Sequence, residues 1–239
     1  MTATGIEIRT VSDISDLTDV GSVLQEVWGT SVPLLSLELA RAIAHSGGYV
    51  AAAFVPSGQM VGASVGILAR HGDRSALHSH VTGLLDVARR AGTGRAMKVH
   101  QRAWAIERSI ECITWTFDPL VRRNAWFNIA VLGAEADEYL PSFYGEMTDA
   151  INAGDDSDRL HVTWDVTAAM PERLRDGSDI DPLMTVPTAD DIVELRRTDM
   201  AAAARWRCST REALLDALGR GHRIVGFTRD GNYVIGDLP

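Results

Sequence analysis

One short stretch limits what this chain can become more than any other. In Leu84-Leu85-Asp86-Val87-Ala88-Arg89-Arg90-Ala91-Gly92-Thr93-Gly94-Arg95-Ala96, two glycines one residue apart stand between a strand-like run and a helix-like run. Residues 76–85 read as a strand, and 95–109 as a helix whose buried stripe is Ala96, Val99, Ala103 and Ile106. Successive backbone N–H groups without bulky Cβ atoms, aimed from a helix N-terminus, cradle a diphosphate, and flanking arginines add positive charge. A tight strand-to-helix connection is the plainer use of the same residues. Other glycine signatures do not fit: a dinucleotide fingerprint needs a third glycine where Met97 stands, and there is no G-x-x-x-x-G-K-[ST].

The elements around this turn follow a definite order. Ser12 or Ser15 can cap a helix with Leu17, Val20, Leu24, Val27 and Trp28 at three- and four-residue steps, ended by Gly29. A second helix starts at Ser36, carries Leu37, Ala40, Ile43 and Ala44, and stops at Gly47-Gly48. Residues 49–55 and 60–69 flank Pro56-Ser57-Gly58-Gln59 and read as a hairpin. After the glycine turn come a strand at 112–117, a break at Asp118-Pro119, a helix over 120–132 ending at Gly133, and a strand with alternating Leu160, Val162, Trp164 and Val166. Residues 167–187 hold Pro171, Pro182 and Pro187 without sustained period and read as a linker or wrapping segment. Beyond it, Thr188 or Asp190 can cap a short helix, 201–204 favour another, and Ser209-x-x-Glu212 is a capping box. Asp230-Gly231 then joins strands at 223–228 and 233–235.

Composition matters here for what it excludes. With 46% hydrophobic residues in 239, the chain can bury a full core. A formal charge of −9 opposes broad attraction to nucleic acid or to an acidic membrane surface. No apolar run approaches the roughly 20 residues that span a bilayer, and residues 1–9 lack the features of a secretory leader. Cys112 and Cys208 cannot form a disulfide scaffold or a four-cysteine zinc site, so the chain reads as cytoplasmic.

A hydrophobic residue, four spaced residues and Arg89-x-x-Gly92-x-Gly94 at a helix start resemble motif A of the GNAT superfamily of acyl-CoA N-acyltransferases, whose elements arrive in this order. The resemblance spans residues 6–166. Thr116-Phe117-Asp118-Pro119-Leu120, Arg123-Asn124-Ala125, Leu132-Gly133-Ala134, Phe143-Tyr144-Gly145-Glu146 and the tail from 187 to 237 are similar to a largely uncharacterised branch of that superfamily. It implies an α/β (α+β) GNAT fold, a central mixed and mostly antiparallel sheet flanked by helices with a C-terminal helix-hairpin extension. The domains implied are 1–166 for acyl transfer, 167–187 as linker, and 188–239 packed on the main domain or on a partner subunit, which would make a homodimer. Acetyl-CoA or another acyl-CoA is the co-substrate implied, with no metal. Its diphosphate would lie on the turn formed by Arg89, Arg90, Gly92, Thr93, Gly94 and Arg95, and its pantetheine arm against Leu84 and Leu85, in a gap between the strands at 77–85 and 112–117. Asn124 matches a family asparagine that contacts this arm, or else caps a helix.

Acyl transfer to an amine needs a base for the ammonium proton and a donor to the departing thiolate. Many GNAT enzymes carry a glutamate six residues before the hydrophobic residue that opens motif A, and that position here is His78. Imidazole titrates near neutrality and can serve, directly or through water. His80 shares its face if the strand is regular, and a bulge would change that. The two could alternatively hold a metal, although no third ligand is evident by spacing. The family's usual acid, a tyrosine four residues before the helix's closing glycine, is replaced by Ile129, which leaves Tyr139 and Tyr144 as candidates from the following segment. Trp28, Trp115 and Trp164 read as core or pocket walls, and Asp155-Asp156-Ser157-Asp158 as a solvated turn. The functions implied are N-acylation of a small-molecule amine or, from another class, non-catalytic binding or sensing of acyl-CoA.

Overall fold

The computed structural model describes residues 5–89, 92–147, 154–170, 174 and 176–237. The chain divides into two compact units, one built from residues up to Thr114 with Asp165–Thr167, the other from Trp115–Trp164 and from Ala168 onward.

The first unit runs β1 (Glu7–Thr10), α1 (Ile14–Trp28), α2 (Leu37–His45), β2 (Tyr49–Phe54), β3 (Met60–His71), β4 (Arg74–Leu84), α3 (Asp86–Arg89), α4 (Thr93–Ile106) and the start of β5 (Cys112–Phe117). β1 to β4 pair antiparallel in chain order, and β5 joins β4 in parallel. Asp13 caps α1, in place of Ser12 or Ser15, by accepting from the Asp16 N–H at 3.0 Å. Its flanking residue Ile14 already has helical geometry, which puts the cap one residue after Ser12. Gly29 ends α1 at φ 61°, and Ser36 caps α2 through the Leu39 N–H. Leu17, Val20 and Leu24 of α1 pack with Val50, Ala52, Ala63 and Val65 of the sheet in one core. At Gly83 of β4 a Cβ would stand 2.6 Å from the Trp28 ring, so the helix is seated where β4 lacks a side chain.

The expected stripe of α4 is overturned. Val99 and Ile106 are 39% and 46% exposed, and the buried face is Thr93, Met97, Lys98, Gln101, Trp104 and Ala105. Met97 and Trp104, seven residues apart, bring more apolar area than the alanines of the alternative stripe, and turning them inward carries Lys98 and Gln101 with them.

The second unit contains α5 (Arg122–Ala125), which widens into a π-helical turn at Trp126–Val131, then β6 (Glu135–Leu140), β7 (Arg159–Asp165), β8 (Met184–Pro187), α6 (Ile192–Thr198), α7 (Met200–Gly219), β9 (Arg223–Phe227) and β10 (Asn232–Gly236). The strands lie in the order β7-β6-β9-β10-β8, antiparallel where their registers are defined. β8 arises inside the stretch read as a linker, and β6 in the segment between Gly133 and Leu160, for which the sequence predicts no strand. The Ser209 capping box does not form: α7 is unbroken, is capped by Asp199, and Ser209 Oγ donates back to the Trp206 carbonyl. Ala203, Arg207, Thr210, Leu214 and Ala217 share its buried face, and that burial outweighs the local cap.

The acidic turn is only partly solvated: Asp156 is exposed, and its neighbours are not. Asp155 and Asp158 are buried acceptors: Asp155 pairs with Arg196 and Arg207, and Asp158 with Arg211. Arg196 and Arg207 also reach Asp118, so two guanidiniums and two carboxylates close on one another. The tail hairpin turns at Gly231 (φ 87°), as Asp230-Gly231 predicts, and Tyr233 Oη donates to the Pro119 carbonyl at 2.6 Å. No helix among the described residues is long and apolar enough to cross a membrane.

Candidate active site

β4 carries the candidate site. On one side it pairs with β3 along its whole length, from His71↔Arg74 to Gly62↔Leu84. On the other, its parallel ladder with β5 covers Ala76↔Cys112, Leu77↔Ile113 and His78↔Thr114 and then stops. Among the described residues, the β4 edge from Ser79 to Leu84 has no parallel partner on that side, and such backbone can take up an extended ligand arm. The register against β3 slips in the same stretch. Val65 faces Val81 while Gly66 faces Ser79, which makes His80 the extra residue of a β-bulge.

The bulge does not separate the two histidines: their rings lie 6.5 Å apart at 39°. His78 Nδ1 is 3.3 Å from Thr114 Oγ1. His80 is exposed, yet desolvation shifts its pKa below the ordinary imidazole value, which favours the neutral ring. Among the described residues, no three His, Cys, Asp or Glu side chains come together as a metal site. On the α4 side of β4 stands a group the sequence reading missed. Lys98 Nζ donates to Ser79 Oγ at 2.9 Å and to Gln101 Oε1 at 3.2 Å, and burial brings its pKa down to about 7. The Met97–Trp104 spacing was the signal that places Lys98 inside.

Beyond β4 the chain turns tightly. Leu85 N–H donates to the Val61 carbonyl, Arg89 Nε donates to the Leu84 carbonyl at 3.0 Å, and an Arg89 Nη pairs with Asp86 at 2.6 Å. Arg89 is therefore engaged within the turn, where it braces the end of β4. Arg90 lies outside the described residues. Gly92 adopts φ 72°, ψ 8°, and a Cβ built there would meet nothing within 4 Å. The first intrahelical bond of α4 runs from Ala96 N–H to the Gly92 carbonyl, so the N–H groups of Thr93, Gly94 and Arg95 precede it. Thr93 is 2% exposed, and its hydroxyl has no hydrogen-bond partner among the described residues; Arg95 is exposed. Open space at a left-handed glycine and the leading N–H groups of a helix fit an anionic group such as a diphosphate.

No protein-family model matches the chain, and no curated protein matches it in sequence. Solved structures do. A GNAT superfamily phosphinothricin acetyltransferase from Sinorhizobium meliloti, in complex with acetyl-CoA, is similar over 71% of this chain and 95% of its own, at 15% identity and a TM-score of 0.55. Salmonella typhimurium yncA, solved with its cofactor acetyl-CoA, is similar over 70% and 98%, at 14% identity and 0.53. Arabidopsis thaliana NAA60, bound to a bisubstrate analogue, is similar over 67% and 97%, at 11% identity and 0.50. The chain has the GNAT fold.

The remaining candidates belong to the second unit, after the strand that in this GNAT fold is β5. Tyr139 is buried on β6 and donates to Asp158 Oδ2 at 2.5 Å. Burial, and then that carboxylate, raise its pKa above the ordinary phenol value, so its proton is already held. Tyr144 is exposed, with Oη 3.2 Å from Thr116 Oγ1 and its ring edge-to-face with Phe143. Asn124 lies inside α5, whose N-cap is Val121, so it is not the cap of this helix. Ile129 is buried in the π-helical turn. Trp115 and Trp164 are core walls that meet edge-to-face at 6.3 Å, and Trp115 Nε1 donates to Asn128 Oδ1.

Proposed function

We propose that the protein is an N-acyltransferase. It moves an acyl group, acetyl by default with succinyl or longer chains as alternatives, from coenzyme A to the primary amine of a small metabolite or amino acid. One conjunction supports this reading: the β4 edge beyond His78, which among the described residues has no parallel partner on the β5 side, is followed along the chain by the Gly92 turn and the start of α4. The edge suits an amide-bearing arm and the turn suits a diphosphate. The thioester supplies the activated carbonyl. As the C–N bond forms and the C–S bond breaks, the ammonium proton must go to a base and the departing thiolate must gain a proton. His78, directly or through water and with neutral His80 beside it, is the proposed base. A second reading, an acyl-CoA-binding or sensing protein, draws support from Ile129 at the family's tyrosine position and from Tyr139 being engaged with Asp158. Neither Cys112 nor Cys208 is in a disulfide, which suits the cytoplasm proposed as the compartment.

The test pairs binding with turnover. Acetyl-CoA binding by calorimetry should fall at least about tenfold in Gly92→Asp, which places a carboxylate where the diphosphate would lie. A panel of amines against several acyl-CoA donors, read by thiol release, should then find turnover that falls in His78→Ala and partly recovers at higher pH. Unchanged affinity in folded Gly92→Asp would move the ligand elsewhere. Tight binding without turnover across the panel would favour the sensor.

A further inference from the structure

The bulge in β4 is held from two sides. Below it, Ser79 Oγ accepts from Lys98 Nζ at 2.9 Å, and above it the Thr82 and Ser64 hydroxyls meet at 2.8 Å across to β3. The residue opposite Ser79 is Gly66, which has no side chain to fix the register at that point. A bulge that migrates by one residue exchanges the faces of the side chains it passes, and here those are His78, Ser79 and His80. Lys98 stands in the second turn of α4, the helix that the Gly92 turn opens, and is 6% exposed. It therefore links the helix that begins at the cradle to the strand that carries the histidines. An apolar side chain would fill the volume at less desolvation cost, but it could not donate to Ser79.

We infer that Lys98 is a positioning residue: through Ser79 it holds the β4 bulge in register and so sets the direction of His78 and His80 relative to the Gly92 turn. This rests on the acyltransferase reading only for its effect on turnover. Its effect on the histidines does not depend on that reading.

The test uses the full chain with labelled imidazoles and three variants, Lys98→Met, Ser79→Ala and the double substitution. In NMR spectra without substrate, the His78 and His80 ring signals should move in both single variants. The His80 titration midpoint should rise toward that of free imidazole as its packing loosens. The double variant should add nothing further, because both changes remove the same bond. In turnover, kcat should fall on the order of tenfold with KM for acyl-CoA within about threefold, the signature of misdirected groups beside an intact cradle. Unmoved histidine signals in Ser79→Ala and Lys98→Met would make Lys98 a packing lysine and overturn the inference. If Lys98→Met does not fold, Ser79→Ala with rescue by Ser79→Thr decides the matter alone. Moved histidines in a protein that acylates no amine would uphold the inference and overturn the acyltransferase reading instead.

Discussion

Each unit of the molecule buries cations, and the two solve the problem in opposite ways. In the second unit Arg207, among the largest fully buried side chains, is gripped by Asp118 at 2.9 and 3.1 Å and by Asp155 at 2.8 Å, with Arg196 sharing both carboxylates. Burial alone would raise the Asp118 carboxyl; the guanidiniums of Arg207 and Arg196 overcome this and bring it down to about 2. In the first unit the partners of Lys98 include a hydroxyl and an amide oxygen, and desolvation brings its amine down to about 7. A buried cation among carboxylates keeps its charge at every physiological pH and ties distant segments together. One whose desolvation prevails sits near its titration point, and it lies beside the strand where the chemistry is proposed.

The sharpest way to break this contrast is to give both cations the same replacement. Arg207→Met leaves Asp118 and Asp155 short of a partner in a dry site, and should cost about 3–5 kcal/mol in urea unfolding or yield insoluble protein. A loss below about 1 kcal/mol would mean that the ionic cluster is ornamental and that the unit is held by its apolar contacts, such as Leu120 and Val121 against Ile192 and Ala203.

Acid should find the same cluster next. Asp118 has its pKa depressed when folded, so its contribution is present above the unfolded value of 3.8 and is lost as pH falls toward 2. The shift corresponds to roughly 2–3 kcal/mol. Stability measured by denaturant at pH 6, 4, 3 and 2 should therefore hold to about pH 4 and then fall steeply. In Asp118→Asn the fall should be shallower, starting from a lower plateau; an equal slope in the variant would assign acid sensitivity to other carboxylates.

The same contrast separates what the sequence shows from what it hides. The Gly92 turn, the 230–231 hairpin turn and the Ser36 cap depend on residues within a few positions of one another, and local chemistry sets them. The ionic cluster joins Asp118 to Arg207, 89 residues away, and an aspartate read alone looks solvated whatever waits for it in space. β6 was missed because Glu135, Asp137 and Glu138 mask a strand whose buried residues are only Ala136 and Tyr139. Lys98 was missed because a stripe of Ala, Val and Ile competed with one built on Met97 and Trp104. His78 was legible by its offset from Leu84, whereas the bulge that decides how His80 stands needed Gly66 and Val65 on the neighbouring strand.

Lys98→Met should give the smallest change in stability and the most informative one. In the wild type a folded pKa of about 7 lies below the unfolded 10.5, so between these values the unfolded chain binds more protons. Wild-type stability should therefore rise as pH climbs from 7 toward 10.5, a trend opposite in origin to the acid loss at Asp118. Methionine removes the desolvation cost but leaves Ser79 Oγ and Gln101 Oε1 without their donor, and the two effects should leave stability at pH 7 within about 1 kcal/mol of wild type. The alkaline rise should flatten in the variant. A loss of several kcal/mol would show that Lys98 holds structure as Arg207 does, and the contrast between the two units would fail. Near-neutral stability with displaced histidines would place the two buried cations in different roles, one serving the fold and the other the site.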